Sequence, residues 1–547
     1  MRSIQKALAC VLCAVLLGLV CIPALPAKAA GMAYYIDSLS GSDETGDGLS
    51  PATAWRTVPV PESITLAPGD SVLFRAGGVY DCNLNFVNCV GTPEAPILIS
   101  SYGEGEKPLL TTEKRTEVMR LFDCSYVTVS DLEITAPAGG GIWIDALQGE
   151  SVGVTLQNLS IHNIQNYKVT YRDPLSDGAA PARACVMVKG LPAKSLYPVN
   201  DLTITDCEFY DCGNGVSLWG AFDTSLGSPW NDDAFTDLAP VYNENTLVEN
   251  CYFYDMDAEA VIVGISKNAL VTHCRMIDCC QGEGTDENGE VLYYTAAAWF
   301  WGSEYSTIEY CEIAGQKNVG DGMTVDFDSQ SNHCAYQYIY SHDNVRFMCN
   351  NAKTSPQVGN VVRYCLSVND DQGRNKLCSP TGEREMLFYN NTIIGSQRFD
   401  FDGLYDSYFV NNLIMMADGA RLNTDLAAYF KNGNVISNNC YYNCISGPLA
   451  GTKLNVKPGF TGDDPADPAS FTLCAGSPLI GAGYAIEDDC ALDFFGNEIE
   501  SRNIGCYGGA GTDTPYRPES PFAKLMRDFR WLISYLRAEI TRILADL

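Results

Sequence analysis

LTITDCEFYD at 202–211, TLVENCYFYD at 246–255, ALVTHCRMID at 269–278 and STIEYCEIAG at 306–315 are four copies of one phrase, apolar-x-x-Cys-x-apolar. The phrase continues in CAYQYIYSHD, NVVRYCLSVN, MLFYNNTIIG, YFVNNLIMMA and VISNNCYYNC, where Asn takes over from Cys. Aligned on that residue, the corner of each copy falls on Cys207, Cys251, Cys274, Cys311, Tyr338, Tyr364, Asn391, Asn412 and Asn439, with Leu132 and Leu159 preceding them. Several successive spacings lie between 21 and 27 residues, and the longer ones contain insertions. That period is too short for βαβ units and suits a solenoid of short strands. The copies themselves are short β-branched and aromatic runs separated by Gly, Asn and Asp.

Stacked parallel strands put equivalent residues about 4.8 Å apart, so like side chains form ladders. Cys packs there as a small apolar group, and Asn can hydrogen-bond along the axis. Three of the 23 cysteines lie within residues 1–29; the other 20 therefore read mainly as buried thiols rather than a disulfide framework, although Cys440 with Cys444, or Cys82 with Cys89, could pair locally. Beyond residue 29 no CxxC metal spacing occurs.

The opening YYIDSLSGSDETGDGLSPATAWRTV, then PGDSVLFRAGGVYD and APILISSYGEGEKPLL, resembles the first coils of pectate-lyase-like right-handed β-helix proteins. The segments GMTVDFDSQSNHCAYQYIYSHDN, GSPLIGAG, DFFGNEI and NIGCYGG are similar to the same superfamily, so the resemblance spans residues 33–511. It implies an all-β, single-stranded right-handed parallel β-helix and says little about reaction, because fold does not fix function. No convincing set of pectate lyase or polygalacturonase catalytic motifs is present.

The ends of the chain differ in kind. Arg2 and Lys6 precede an apolar run from Ala7 to Val20, and Ala27-Lys28-Ala29 offers a cleavage site, so residues 1–29 read as a signal peptide and the protein as secreted. Residues 30–511 form the β-helix domain, and 512–547 a linker and amphipathic helix. In that tail Phe522, Leu525, Met526, Phe529, Leu532, Ile533, Leu536, Ile540, Ile543, Leu544 and Leu547 recur at helical spacing beside Lys524, Arg527, Arg530, Arg537 and Arg542. A helix lying on the solenoid is one reading; peripheral membrane or cell-wall contact is the other.

The formal charge is −32, and loss of Arg2, Lys6 and Lys28 takes it to −35, with 32 basic against 67 acidic residues. Such a surface excludes nucleic acid as a partner of the body. It would also repel a polyanionic sugar unless Ca²⁺ bridged the two; no other cofactor is implied.

A second strand follows each corner, and its copies register as GIWID, GVSLW, AVIVG, AAWFW, GMTVD and RFMCN. Alternation sends Ile142/Ile144, Val216/Leu218, Val261/Val263, Ala298/Phe300, Met323/Val325 and Phe347/Cys349 inward. The outward set is then Trp143/Asp145, Ser217/Trp219, Ile262/Gly264, Trp299/Trp301, Thr324/Asp326 and Met348/Asn350, with Asp328 one alternation on. Four of the seven tryptophans fall on this face. Aromatic rings stack on sugars, and carboxylates perform acid/base work or bind Ca²⁺.

Trp143, Trp219, Trp299, Trp301 and Asn350 are therefore the candidate glycan contacts, with a bare Gly264 as a gap that could admit a ring. A satellite core beneath insertions 221–243 and 281–295 is the plainer account of the tryptophans. Asp326, Asp328 and His342 are the candidate catalytic groups. Asp326 and Asp328 suit glycoside hydrolysis, whereas a lyase needs His342, Arg346 or Lys353 to take a proton. His342 also falls at the end of a column, Asn163, Asp211, Asp255 and Asp278, that turn formation alone explains. The expectation is an extracellular protein that cleaves a polysaccharide as lyase or hydrolase, with a non-catalytic glycan-binding or adhesin solenoid as the alternative.

Overall fold

In the computed structural model the described residues are 31–540, apart from 59–64, 165–183, 190–194, 223–238, 283–294, 318–321, 351–356, 371–374, 377–381, 396–398, 401–402, 417–431, 444–452, 488, 500, 530–532, 534–535 and 537–539. The signal segment, both insertions flanking the tryptophans, Lys353 and Cys444 thus lie outside them or nearly so.

The chain winds as a parallel β-helix whose hydrogen-bonded strand neighbours are always one coil apart. A first sheet of fourteen strands runs from Ala33–Ile36 to Val435–Ser437, and a second of fourteen from Val79–Asp81 to Lys453–Leu454. A third, of seven, runs from Leu84–Val87 to Ala298–Trp301. Every named pair in these sheets is parallel, and a right-handed coil is the hand that parallel crossovers adopt.

Register fixes the core. Ile204, Val248, Val271 and Ile308 stack on the first sheet, and Phe209, Phe253, Met276 and Ile313 on the second. All eight are buried and belong to one cluster, each worth about 1.5–3 kcal/mol of burial. The corner between first and second sheets uses one left-handed residue per coil, among them Asp206, Asn250, His273, Tyr310, Tyr338, Tyr364, Asn390, Asn411 and Asn438, with φ between 50° and 59°. Asn and Asp tolerate that conformation because their short side chains bond locally. The next residue points inward, which places Cys207, Cys251, Cys274, Cys311, Ile339, Cys365, Asn391, Asn412 and Asn439 on the ladder.

Tyr338 and Tyr364 are therefore one residue short of the position expected for them. They occupy the left-handed rung and stack outside it, Tyr310 on Tyr338 at 4.6 Å and Tyr338 on Tyr364 at 6.2 Å. The cysteines of the described residues, Cys82 and Cys89 included, are free thiols.

Residues beyond the last coil fold back against it. Leu473, Leu479, Ile504 and Tyr507 share a cluster with Leu413 and Cys440, while Asn390 donates to the carbonyls of Asn503 and Gly505. Residues 521–529 are helical. Arg527 docks this helix by ion-pairing with Glu519 at 3.2 Å, donating to Asn455 and lying over Tyr442. Phe522, Leu525 and Phe529 stay 71, 63 and 56% exposed.

Candidate active site

Strand pairing turns two columns of side chains out of the third sheet. One runs Arg120, Trp143, Met187, Ser217, Ile262 and Trp299; the other runs Phe122, Asp145, Lys189, Trp219, Gly264 and Trp301. The coil at Ala184–Val188, ACVMV, carries no tryptophan and is missing from the sequence registration. One coil further, Phe300 bridges to Phe327, so Asp326 continues the first column after Trp299 and Asp328 the second after Trp301. Sequence registration had matched Met323 and Val325 to Ala298 and Phe300. The true partners lie two residues on, a slip that preserves the face.

The strand bearing the two carboxylates is held from inside. The buried Tyr336 hydroxyl donates to the carbonyls of Ala298 at 2.8 Å and Asp326 at 3.1 Å. Gln357 Nε2 donates to the carbonyls of Phe327 at 3.1 Å and Asp328 at 2.9 Å, and Ser331 Oγ donates to the latter at 2.8 Å. Asp328 Oδ1 accepts from the Ser329 backbone at 2.7 Å. Asp326 is 8% exposed and Asp328 half-buried. Alternate residues on a strand stand about 6.6 Å apart, a spacing from which the two carboxyl groups can reach the separations of either retaining or inverting glycosidases.

The tryptophans are buried, at 6% for Trp143, 6% for Trp219, 5% for Trp299 and 3% for Trp301. Trp219, Trp299 and Trp301 pack edge to face with Phe222, Ile262, Ile265, Ala296 and Met323 as a small core outside the sheet. Met323 belongs to this outer cluster, not to the interior. The gap at Gly264 is filled by the protein itself, because a Cβ there would lie 2.4 Å from the Trp219 indole. Trp143 donates Nε1 to the Lys189 carbonyl and carries Arg120 at 5.8 Å over its ring. Asp145 is fully buried against Lys189 at 3.0 Å, so its charge serves the wall. Burial pulls the Lys189 pKa down although Asp145 opposes it.

Two side chains on the first column are buried without hydrogen-bond partners among the described residues: Ser217 Oγ and Trp299 Nε1. Both are donors, Trp299 one coil from Asp326 and Ser217 three. Leaving such a group unpaired costs about 1–3 kcal/mol, which a ligand hydroxyl would recover. The pairing keeps Ser217 and Trp299 in the one outward column that strand alternation assigns them.

The remaining candidates lie elsewhere. In the strand Arg346–Met348, Val325 pairs with Met348, which turns Met348 and then Asn350 inward and Cys349 out onto the tryptophan cluster. Asn350 is 1% exposed and donates to Glu383, so the outward position expected for it is corrected; Phe347 and Met348 both lie in the interior cluster, which breaks the alternation. His342 sits on the second sheet, in register with Ala314 and Val368, and the column of turn residues is continued by Asp343, not by it. Its ring lies between Asp343 at 2.8 Å and Glu312 at 3.3 Å on the outer side of that sheet, away from Asp326 and Asp328. Among the described residues no group of three or more His, Cys, Asp or Glu is arranged to hold a metal ion.

No family model matches the chain. A curated lacto-N-biosidase of Bifidobacterium longum subsp. longum is 24% identical over 86% of this chain, which spans only 36% of that protein's length. Among solved structures, a GH136 lacto-N-biosidase from Eubacterium ramulus matches at 20% identity and TM-score 0.50, over 68% of this chain and 66% of the other. A pectate lyase matches at 12% identity and TM-score 0.42, over 87% and 96%. The parallel β-helix is thus the fold of this chain.

Proposed function

We propose that this protein is a carbohydrate-active enzyme, a glycoside hydrolase whose carboxylate pair is Asp326 and Asp328. The observation that carries the reading is the placement of both carboxylates on one outward strand face, beside an aromatic wall whose Trp299 Nε1 is one coil away. One carboxyl protonates the leaving oxygen while the other attacks the sugar or activates water. Similarity to a lacto-N-biosidase over most of the chain favours hydrolysis over elimination, as does the location of His342 on another sheet. The acidic charge favours a neutral glycan, since a uronate polymer would be repelled.

The test is incubation with neutral oligosaccharides, including chains ending in lacto-N-biose, and with uronate polymers, each with and without Ca²⁺. Reducing ends without unsaturation are expected, falling at least a hundredfold in both Asp326→Asn and Asp328→Asn. Unsaturated products would replace the reading with a lyase, and retention without products with a glycan-binding solenoid.

The same proposal extends to the tail. Its helix keeps an apolar stripe turned away from the Arg527 contact, with arginines in the sequence beside it, the pattern of a helix lying in a lipid interface. Binding to vesicles containing phosphatidylglycerol, lost on changing Phe522 and Phe529 to Ser, is expected. Concentration-dependent dimerisation without vesicle binding would assign the stripe to a second copy instead.

A further inference from the structure

Behind the carboxylate strand, inside the solenoid, lies a box of amides closed by one acid. Gln357, Glu383 and Leu404 are register partners on three successive short strands, Gln357–Val358, Glu383–Arg384 and Leu404–Tyr405. Gln357 holds the backbone of Phe327 and Asp328. Asn360 Nδ2 reaches the Ser331 carbonyl at 2.8 Å and Glu383 Oε1 at 2.7 Å, and its Oδ1 accepts from the Cys334 backbone. The Val358 N–H closes the turn by donating to Asn332 Oδ1 at 2.9 Å. Both ends of turn 327–332 are therefore tied to residues 357–360, and Glu383 braces that segment from the next coil.

Glu383 is fully buried, and its described contacts are amides alone: Asn360, and Asn350 Nδ2 at 3.5 Å. No cation among the described residues pairs with it, and the titratable group beside it is the Cys334 thiol, itself held up to about 12 chiefly by burial. Two acceptors in the same box, Asn350 Oδ1 and Gln357 Oε1, are buried without a donor among the described residues. A carboxylate has only acceptors to offer them, whereas a protonated carboxyl has one O–H to give.

We propose that Glu383 is a positioning residue, carried as the neutral acid, whose O–H completes the amide box that holds Asp328 in place. The inference rests on the carboxylate-pair reading of the site. Burial of the carboxyl, opposed by the Asn360 and Asn350 hydrogen bonds, pushes it up to about 8, in keeping with that role. Ionisation above that range replaces the donor with a second lone pair and loosens the turn under Asp328.

The experiment compares wild type, Glu383→Gln and Glu383→Ala by kcat and KM against pH and by melting against pH. Gln offers the same acceptor and a permanent donor. Glu383→Gln should keep kcat within about threefold near pH 6 and lose the decline that wild type shows through pH 8. Glu383→Ala should lower kcat at least tenfold at every pH with KM little changed. The folded value exceeds the unfolded one, so ionising the chain costs wild-type stability from about pH 4.5 up to about 8; the melting advantage of Glu383→Gln should grow across that window. An unchanged alkaline limb in Glu383→Gln, or activity as low as in Glu383→Ala, overturns the proposal. Should Asp328→Asn turn over normally, the carboxylate reading fails and positioning with it, while a melting difference independent of pH would separately refute the neutral acid.

Discussion

The same corner position is built twice in this solenoid from different chemistry. In the earlier coils Cys251, Cys274 and Cys311 reach back to the carbonyls of Ile204, Val248 and Val271 at 3.7, 3.7 and 3.9 Å, distances at which a thiol contributes little beyond filling space. In the later coils Asn391, Asn412 and Asn439 reach the equivalent carbonyls of Val362, Phe388 and Phe409 at 2.9, 2.9 and 2.8 Å. The neighbouring column does not follow: Phe253, Met276 and Ile313 give way to Ser341 and Ser367, and the asparagine coils return to Ile393 and Ile414. Burial of apolar surface is non-directional and tolerates small backbone shifts, whereas a directed hydrogen bond does not. The first asparagine rung, Asn391, follows Ile339 and Cys365, so the directed ladder begins beyond the coil that carries Asp326 and Asp328.

Truncating both kinds of rung breaks the comparison if it is false. Asn412→Ala removes the donor to the Phe388 carbonyl and the acceptor for the Asn391 backbone and side chain. Buried groups left unpaired cost about 1–3 kcal/mol each, so a loss of about 2–3 kcal/mol is expected after local relaxation. Cys274→Ala forfeits the burial of one sulfur, about 1 kcal/mol. Urea midpoints measure both. Equal costs would mean that the asparagine ladder is packing like the cysteine ladder.

The Cys-to-Asn exchange and the solenoid itself were legible because a coil repeats its chemistry every turn. Register failed where another residue mimicked the pattern. Tyr338 and Tyr364 were taken for corner residues, yet they occupy the left-handed site normally given to Asn or Asp, where stacking on Tyr310 and on each other buries the rings. Alternation misplaces Asn350 because the adjacent Phe347 and Met348 both face the interior. Asp326 and Asp328 could be read as outward neighbours since a slip of two residues keeps the face. Glu383, Gln357 and Asn360 were invisible, because ERE at 383–385 reads as surface and only coil stacking shows that the first of these faces inward.

The smallest expected effect lies on the strand Tyr340–His342, whose adjacent residues face opposite environments. Ser341 points inward and donates to Asp370 at 2.5 Å, where burial outweighs the Ser341, Ser367 and Asn344 bonds and pushes the carboxyl up to about 6. His342 points outward to Glu312, where the His342 bond leads and Arg275 assists, against burial, in holding that carboxyl at about 2. Burial lowers the His342 pKa, but Glu312 and Asp343 together raise it above its ordinary value. Glu312, depressed in the fold, stabilises above about pH 4.5 and loses that contribution as the pH falls toward 2. His342, raised in the fold, stabilises below about pH 6.5 and loses it as the pH rises through the folded value. The two contributions coexist only between about pH 4.5 and 6.5. With both groups partly exposed, Glu312→Gln should cost under about 1 kcal/mol, most of it inside that window, and should lower the His342 pKa read by NMR titration. A melting difference equal at pH 5.5 and 8.5, with His342 unmoved, would show that the outer acid is held by packing, as the inner one is, and would erase the contrast between the two faces of this strand.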